Sequence, residues 1–192
     1  MSVAIVKYNA GNVCSVINAL HRLGVEPVVT DDSRELRQAD HVIFPGQGEA
    51  SSAMAYLREH GLDEVIRQLT QPLLGICVGQ QLLCTHSEEG NVDCLGIFRT
   101  DVRRFQPQPG FKVPAMGWNK IDPSPREGFC PAGNVYFVHS YYCPLCEDTA
   151  AIAHYTLPFS AALHRYNFYA TQFHPEKSGP VGEAILRNFL NL

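Results

Sequence analysis

The chain has 192 residues, a formal net charge of −4, and 45% hydrophobic against 18% charged residues. That is long enough to bury a core without staples, and an acidic balance with no basic cluster argues against a nucleic-acid surface. No apolar run nears the roughly 20 residues that span a bilayer, and Met1 to Lys7 lacks the basic flank of a secretion signal, so no membrane association is expected.

Apolar patterning predicts alternating strands and helices through the first half. Val3 to Val6 reads as a strand. Val13, Val16, Ile17, Leu20 and Leu23 then recur at helical spacing, with Asn12 as N-cap and Gly24 past the end. Glu26 to Thr30 and His41 to Phe44 are strands, followed by the turn Pro45-Gly46-Gln47-Gly48. Helices are expected over Ala50 to Glu59 and Leu62 to Leu69, and a strand over Leu73 to Ile76. The second half reads as strands at Val102 to Phe105, Met116 to Ile121, Asn134 to His139, Ala150 to Tyr155, Ala161 to Tyr166 and Tyr169 to Phe173. Gly179-Pro180 opens a last helix, with Val181, Ala184, Ile185 and Phe189 on one face. The fold class expected is α/β: a single domain over residues 1–192, with an open, mixed, mostly parallel sheet flanked by helices, flavodoxin-like.

Seven cysteines, an odd number, favour free thiols in a reducing, cytoplasmic compartment. Cys143-Pro144-Leu145-Cys146 has metal-site spacing, but no second pair completes a site, so neither metal nor cofactor is expected. Cys14, Cys84 and Cys94 read as packing residues.

One cysteine differs. In Gly75-Ile76-Cys77-Val78-Gly79 an apolar strand ends in Gly-x-Cys-x-Gly. Small residues around a nucleophile let a strand turn sharply into a helix and lift the side chain out of the backbone. The helix N-terminus then lies near the sulfur, where it favours a thiolate. Near the C-terminus stands His174-Pro175-Glu176. If the segment is extended, residues two apart share a side, so His174 could take the Cys77 proton while Glu176 orients the ring. Oxyanion donors are sought in the Val78 amide and the Gly46, Gln47, Gly48 turn, and Gln81 could meet an amide substrate. Taken singly, each residue is as readily structural: a buried thiol, a core histidine, an ordinary turn. The conjunction of elbow, donor loop and base is what points to a cysteine-nucleophile enzyme.

Gly75-Ile76-Cys77-Val78-Gly79-Gln80-Gln81 with Phe173-His174-Pro175-Glu176 closely resembles the class I glutamine amidotransferases. Gly11-Asn12-Val13, Met116-Gly117-Trp118-Asn119, Tyr136-Phe137-Val138-His139-Ser140-Tyr141 and Asn167 through Gly179 narrow the likeness to one family, the glutaminase subunits of imidazole glycerol phosphate synthase. The resemblance implies hydrolysis of L-glutamine, with substrate held by Gln81 and the backbone around Ser140 and Tyr141. It also implies a heterodimer with a (βα)8-barrel cyclase subunit of the HisF type, to which ammonia passes for imidazole glycerol phosphate and AICAR formation in histidine biosynthesis. Such glutaminases are nearly silent until partner and ligand bind, which implies a switchable oxyanion peptide at Gly46 to Gly48. Asn12 and Trp118 are interface candidates, Trp118 reading equally as core. Lys7, Gln47, Gln80 and Ala115 depart from the family's usual residues. The alternatives are a glutaminase subunit for anthranilate or carbamoyl phosphate synthesis, or a non-catalytic regulatory partner.

Overall fold

The computed structural model describes residues 1–9, 13–46, 48–124 and 128–192. Asn12 and Gln47, expected at an interface and in the oxyanion turn, lie outside them. Strands β1 (Val3–Val6), β2 (Pro27–Thr30), β3 (His41–Phe44) and β4 (Leu73–Ile76) alternate with helices α1 (Cys14–Arg22), α2 (Ser33–Gln38), α3 (Ala50–Glu59) and α4 (Leu62–Arg67). Helix α5 (Val78–Leu82) follows β4 at once, and β5 (His86–Ser87), β6 (Val92–Asp93), β7 (Asp101–Arg104), β8 (Ala115–Pro123) and β9 (Gly133–His139) come next. The chain ends with β10 (Tyr141–Tyr142), β11 (Thr149–His154), β12 (Pro158–Arg165), β13 (Phe168–Thr171), a 3-10 turn (Pro175–Lys177) and α6 (Gly179–Leu190).

Nine strands form one sheet in the order β2-β1-β3-β4-β13-β12-β11-β8-β9. From β2 to β13 neighbours run parallel, and from β13 to β9 antiparallel. The parallel part has the order of a doubly wound sheet, whose ligands collect outside the carboxyl ends of the strands. Strands β1, β3 and β4 are buried along their whole length, because helices cover both faces; that is why they read as bare apolar runs. A second sheet, β10-β7-β5-β6, is built of short strands.

Most predicted elements stand within a residue or two. Three corrections matter. Helix α1 is capped at Val13, without a side-chain cap bond, not at Asn12. Helix α2 was not expected: it buries only Leu36, too little for a period, although Asp32 caps it by accepting from the amides of Arg34 and Glu35. Cys14 is exposed rather than packed, whereas Cys84 and Cys94 are buried as expected.

Candidate active site

Strand β4 lies between β3 and β13, so its carboxyl end opens within the parallel part of the sheet and not at an edge. Cys77 follows immediately, with φ 55° and ψ −110°, a backbone that a non-glycine residue keeps only when its surroundings over-determine it. They do. The Cys77 amide donates to Thr171 O of β13 at 2.7 Å, and Cys77 O accepts from Gln81 N at 3.3 Å, closing the first turn of α5.

The flanking glycines act differently from the expectation, since the strained residue is the cysteine itself. A Cβ on Gly79 would overlap Phe44 O, one on Gly46 would overlap Gly79 N, and one on Gly75 would sit 2.9 Å from Gly79 O. These glycines let the segment Phe44 to Gly46 lie directly against the start of α5. Gly48 alone of the turn's described residues needs glycine for its conformation, at φ +107°. The first amides of α5, Val78 included, have no acceptor within their own helix.

A cavity of about 240 Å³ opens over this elbow, lined by Gly48, Cys77, Val78, Gln81, Ser140 and Tyr141, with Glu89, Pro114, Val138 and His139. Six residues singled out from sequence therefore share one pocket. His174 and Glu176 are not among its lining residues; their side chains are only 4% and 2% exposed, with Nδ1 of His174 at 2.8 Å from Glu176 Oε1. His174 is extended (φ −98°, ψ 96°), but Glu176 belongs to the 3-10 turn and not to a strand. The pairing survives because the tight turn brings the carboxylate back under the ring. Ser178 pins the arrangement: its hydroxyl donates to His174 O at 2.6 Å and accepts from Tyr136 N at 2.9 Å.

Electrostatics separates the two histidines near the sulfur. Burial pushes His174 down, but hydrogen bonds to Cys77 and Glu176, with the charges of both, outweigh it and lift it to about 10. It is a ring built to hold a proton taken from Cys77. For His139 burial wins, reinforced by the charge of His174, and its value falls to about 4. His139 therefore stays neutral, its Nδ1–H donating to Tyr141 O at 2.7 Å. It braces the cavity wall.

Two residues were missed from sequence. Glu89 is a carboxylate in the cavity lining. Burial raises its affinity for a proton, while the Ala50 amide opposes this by donating to Oε2 at 2.9 Å. Tyr8, buried at the end of β1, donates its hydroxyl to Pro45 O at 2.6 Å, anchoring the stem of the turn. Burial, then the charge of Cys77, keeps that phenol protonated. Neither had a motif, for each is brought in only by tertiary structure. Gln81 spends its amide nitrogen on Tyr141 O (3.3 Å) and Gln172 Oε1 (3.0 Å), so what it could offer a ligand is its oxygen.

Three departures from the family pattern, Gln80, Lys7 and Ala115, are accommodated, while Gln47 lies outside the described residues. Gln80, fully buried, donates to Ser160 O at 3.3 Å and reaches Cys143 Sγ at 3.5 Å. Lys7 pairs with Asp31 at 3.8 Å, and Ala115 lies opposite His139 in the β8–β9 ladder. Trp118 is 60% exposed, which excludes the core reading. Its indole meets Tyr136 edge-on at 6.1 Å. No helix among the described residues is long and apolar enough to cross a membrane.

Residues 5–192 match the family model described as glutamine amidotransferase class-I. A Bacteroides thetaiotaomicron protein named imidazole glycerol phosphate synthase subunit HisH is 61% identical, with 100% of each chain covered. An Idiomarina loihiensis protein of the same name is 43% identical, over 100% of this chain and 98% of its own. Among solved structures, one titled glutamine amidotransferase superposes with a TM-score of 0.78 at 20% identity, covering 100% of this chain and 98% of that one. PurLQS from Thermotoga maritima gives 0.73 at 16%, covering 99% and 97%. These two are likenesses of fold.

Proposed function

The chain belongs to the class-I glutamine amidotransferase family, in the branch of the HisH subunits, and on that premise we propose that it is the glutaminase subunit of imidazole glycerol phosphate synthase. It hydrolyses L-glutamine to glutamate and ammonia, and hands the ammonia to a (βα)8-barrel cyclase subunit of the HisF type in a cytoplasmic heterodimer. The residues 1–192 act as one amidotransferase domain.

The observation that carries the reading is the buried His174–Glu176 pair beside Cys77, whose side chain lines the cavity where neighbouring parallel strands end. His174 takes the thiol proton, and the sulfur attacks the side-chain carbonyl of glutamine. Negative charge then develops on that oxygen. It is met by the Val78 amide and by an amide of the Gly46–Gly48 turn, whose stem Tyr8 holds. The tetrahedral intermediate collapses as His174 gives its proton to the departing nitrogen, releasing ammonia and leaving a γ-glutamyl thioester. Water, deprotonated by the same ring, attacks the thioester to release glutamate and restore the thiol. Glu176 fixes the ring's tautomer throughout.

At the other end of the substrate, Glu89 is placed to meet the α-ammonium group, beside the oxygen of Gln81. The backbone of Ser140 and Tyr141 supplies donors for the α-carboxylate. Exposed Trp118 sits on β8 close to Tyr136, whose carbonyl holds the His174 amide at 2.9 Å. A partner seated on Trp118 would thus bear on the strand that braces the base. Asn12 is the second interface candidate.

The test is glutamate release by the chain alone, with the cyclase, and with the cyclase plus its nucleotide. The reading expects a large increase on adding both, and ammonia-dependent synthesis that needs no glutaminase. Glutamine turnover equal in all three conditions would remove the switch. Its absence in all three would leave a regulatory subunit.

A further inference from the structure

Gln172 follows β13 and is fully buried. Its amide lies between two functional groups, and only one orientation fits. Tyr141 O is a carbonyl that can only accept, so the Gln81 atom 3.3 Å away must be nitrogen. The second N–H of that nitrogen points to Gln172 at 3.0 Å, so the Gln172 atom facing it must be oxygen. Nitrogen is left on the other side, and there it meets Cys77 Sγ at 3.7 Å. Turning the amide over would set an N–H against an N–H at a fully buried side chain, and would leave the sulfur, once a thiolate, facing oxygen.

Resting on the reading of Cys77 as nucleophile, we infer that Gln172 is a further catalytic residue, whose Nε2–H donates to the Cys77 sulfur and stabilises it as the thiolate. As a thiol, Cys77 has a carbonyl to give its proton to, Val138 O at 3.9 Å. As a thiolate it can only accept, and it then has two donors, the His174 ring and the Gln172 amide. The proton goes to His174, and Gln172 moves none. It acts twice in the cycle, before attack and again when the sulfur leaves as thiolate on hydrolysis of the thioester. The carbonyl of Tyr141, bracing Gln81 and through it Gln172, makes the cavity wall part of the same donor chain.

The test is the rate at which iodoacetamide alkylates Cys77 in the full chain at neutral pH, without glutamine, followed by mass spectrometry of the Cys77 peptide. Gln172→Met keeps the length of the side chain and removes the N–H. A hydrogen bond to a charged acceptor of about 1.5–3 kcal/mol corresponds to at least about tenfold slower alkylation. Gln172→Glu still accepts from Gln81 but turns oxygen toward the sulfur, and it should be slower again. In the complex, Gln172→Met should lower kcat with KM for glutamine within about twofold, since the amide touches the sulfur and not the α-carbon end. A purely structural role would move the melting temperature and KM together. If the methionine variant does not fold, the glutamate variant decides. Alkylation as fast as wild type in either folded variant overturns the assignment. Cys77→Ser, assayed alongside, keeps the two ideas apart: retained glutaminase activity there would refute the nucleophile itself, whatever Gln172 does.

Discussion

Adding one methyl group at Gly79 tests how the elbow is built. A Cβ there would overlap Phe44 O and lie 3.1 Å from the Phe44 carbonyl carbon and 3.4 Å from that of Pro45. The obstacles are backbone atoms, which cannot swing aside as a side chain does. To restore van der Waals contact, α5 must withdraw from the Phe44–Gly46 segment by about 1 Å. That displacement separates the Val78 amide from the turn that supplies its companion donor, and errors of this size cost on the order of a hundredfold in rate. Overpacking of this kind also costs about 1–3 kcal/mol, which for a chain of this length lowers the melting temperature by roughly 2–12 °C. The assay pairs glutamate release in the cyclase complex with thermal unfolding of the isolated subunit. Gly96→Ala is the control: Gly96 has φ +71° but nothing within 4 Å of the added carbon, so it carries backbone strain without the clash. Gly79→Ala with activity within twofold of wild type and an unchanged melting temperature would refute the close-approach argument.

Cys77→Ala should abolish glutamine-dependent synthesis by the complex while sparing synthesis from an ammonium salt; loss of both would make the residue a support of the assembly. Glu176→Gln replaces a buried carboxylate bonded to Nδ1. The amide cannot fix the ring's tautomer, and such a change beside a catalytic histidine costs about 10⁴-fold, so kcat should fall by roughly three to four orders of magnitude, and a drop under tenfold would demote Glu176 from the relay. His139 is neutral in the folded chain down to about 4 against an ordinary 6.5. Below 6.5 the unfolded chain takes up a proton that the native one refuses, so this contribution is full above 6.5 and is lost as pH falls toward 4. It amounts to about 3 kcal/mol. His139→Leu should flatten the fall of the urea midpoint between pH 6.5 and 4; an unchanged slope would place the acid sensitivity elsewhere. Trp118→Ala should weaken association with the cyclase, read by titration calorimetry, and leave the melting temperature of the lone subunit unaltered, since the indole is mostly exposed.

How far the sequence could be read depended on how local each cause was. Strands β1, β3 and β4 are covered on both faces, and their unbroken apolar runs reveal them without any partner being known. Helix α2, with Leu36 alone buried, carries its signal in a cap rather than a period. The two-residue strands β5, β6 and β10 exist only because of what they pair with.

The same division runs through the site. Cys77, Val78 and His174 were legible because an elbow and a base leave marks in neighbouring residues. Glu176 meets Nδ1 of His174 although its backbone is a 3-10 turn and not the extended segment expected, because the tight turn brings the carboxylate back to the ring. Gly79 was read as easing a sharp turn and Gly46 as part of a donor turn, whereas both serve the close approach of two backbones. Glu89 and Tyr8 were silent, and Gln172 stood out only as part of a longer motif, since segments far away in the chain supply what each of them touches. Trp118, ambiguous between core and surface, is settled by lying on the face of β8 that the sheet leaves open.

The account stands or falls on where the glutamyl group goes. Acid-quenching the cyclase complex during turnover and weighing the peptides should find a γ-glutamyl adduct on the peptide that carries Cys77, appearing before glutamate accumulates and absent from Cys77→Ala. Steady glutamate release with that sulfur never acylated, or with the adduct on another residue, would contradict it.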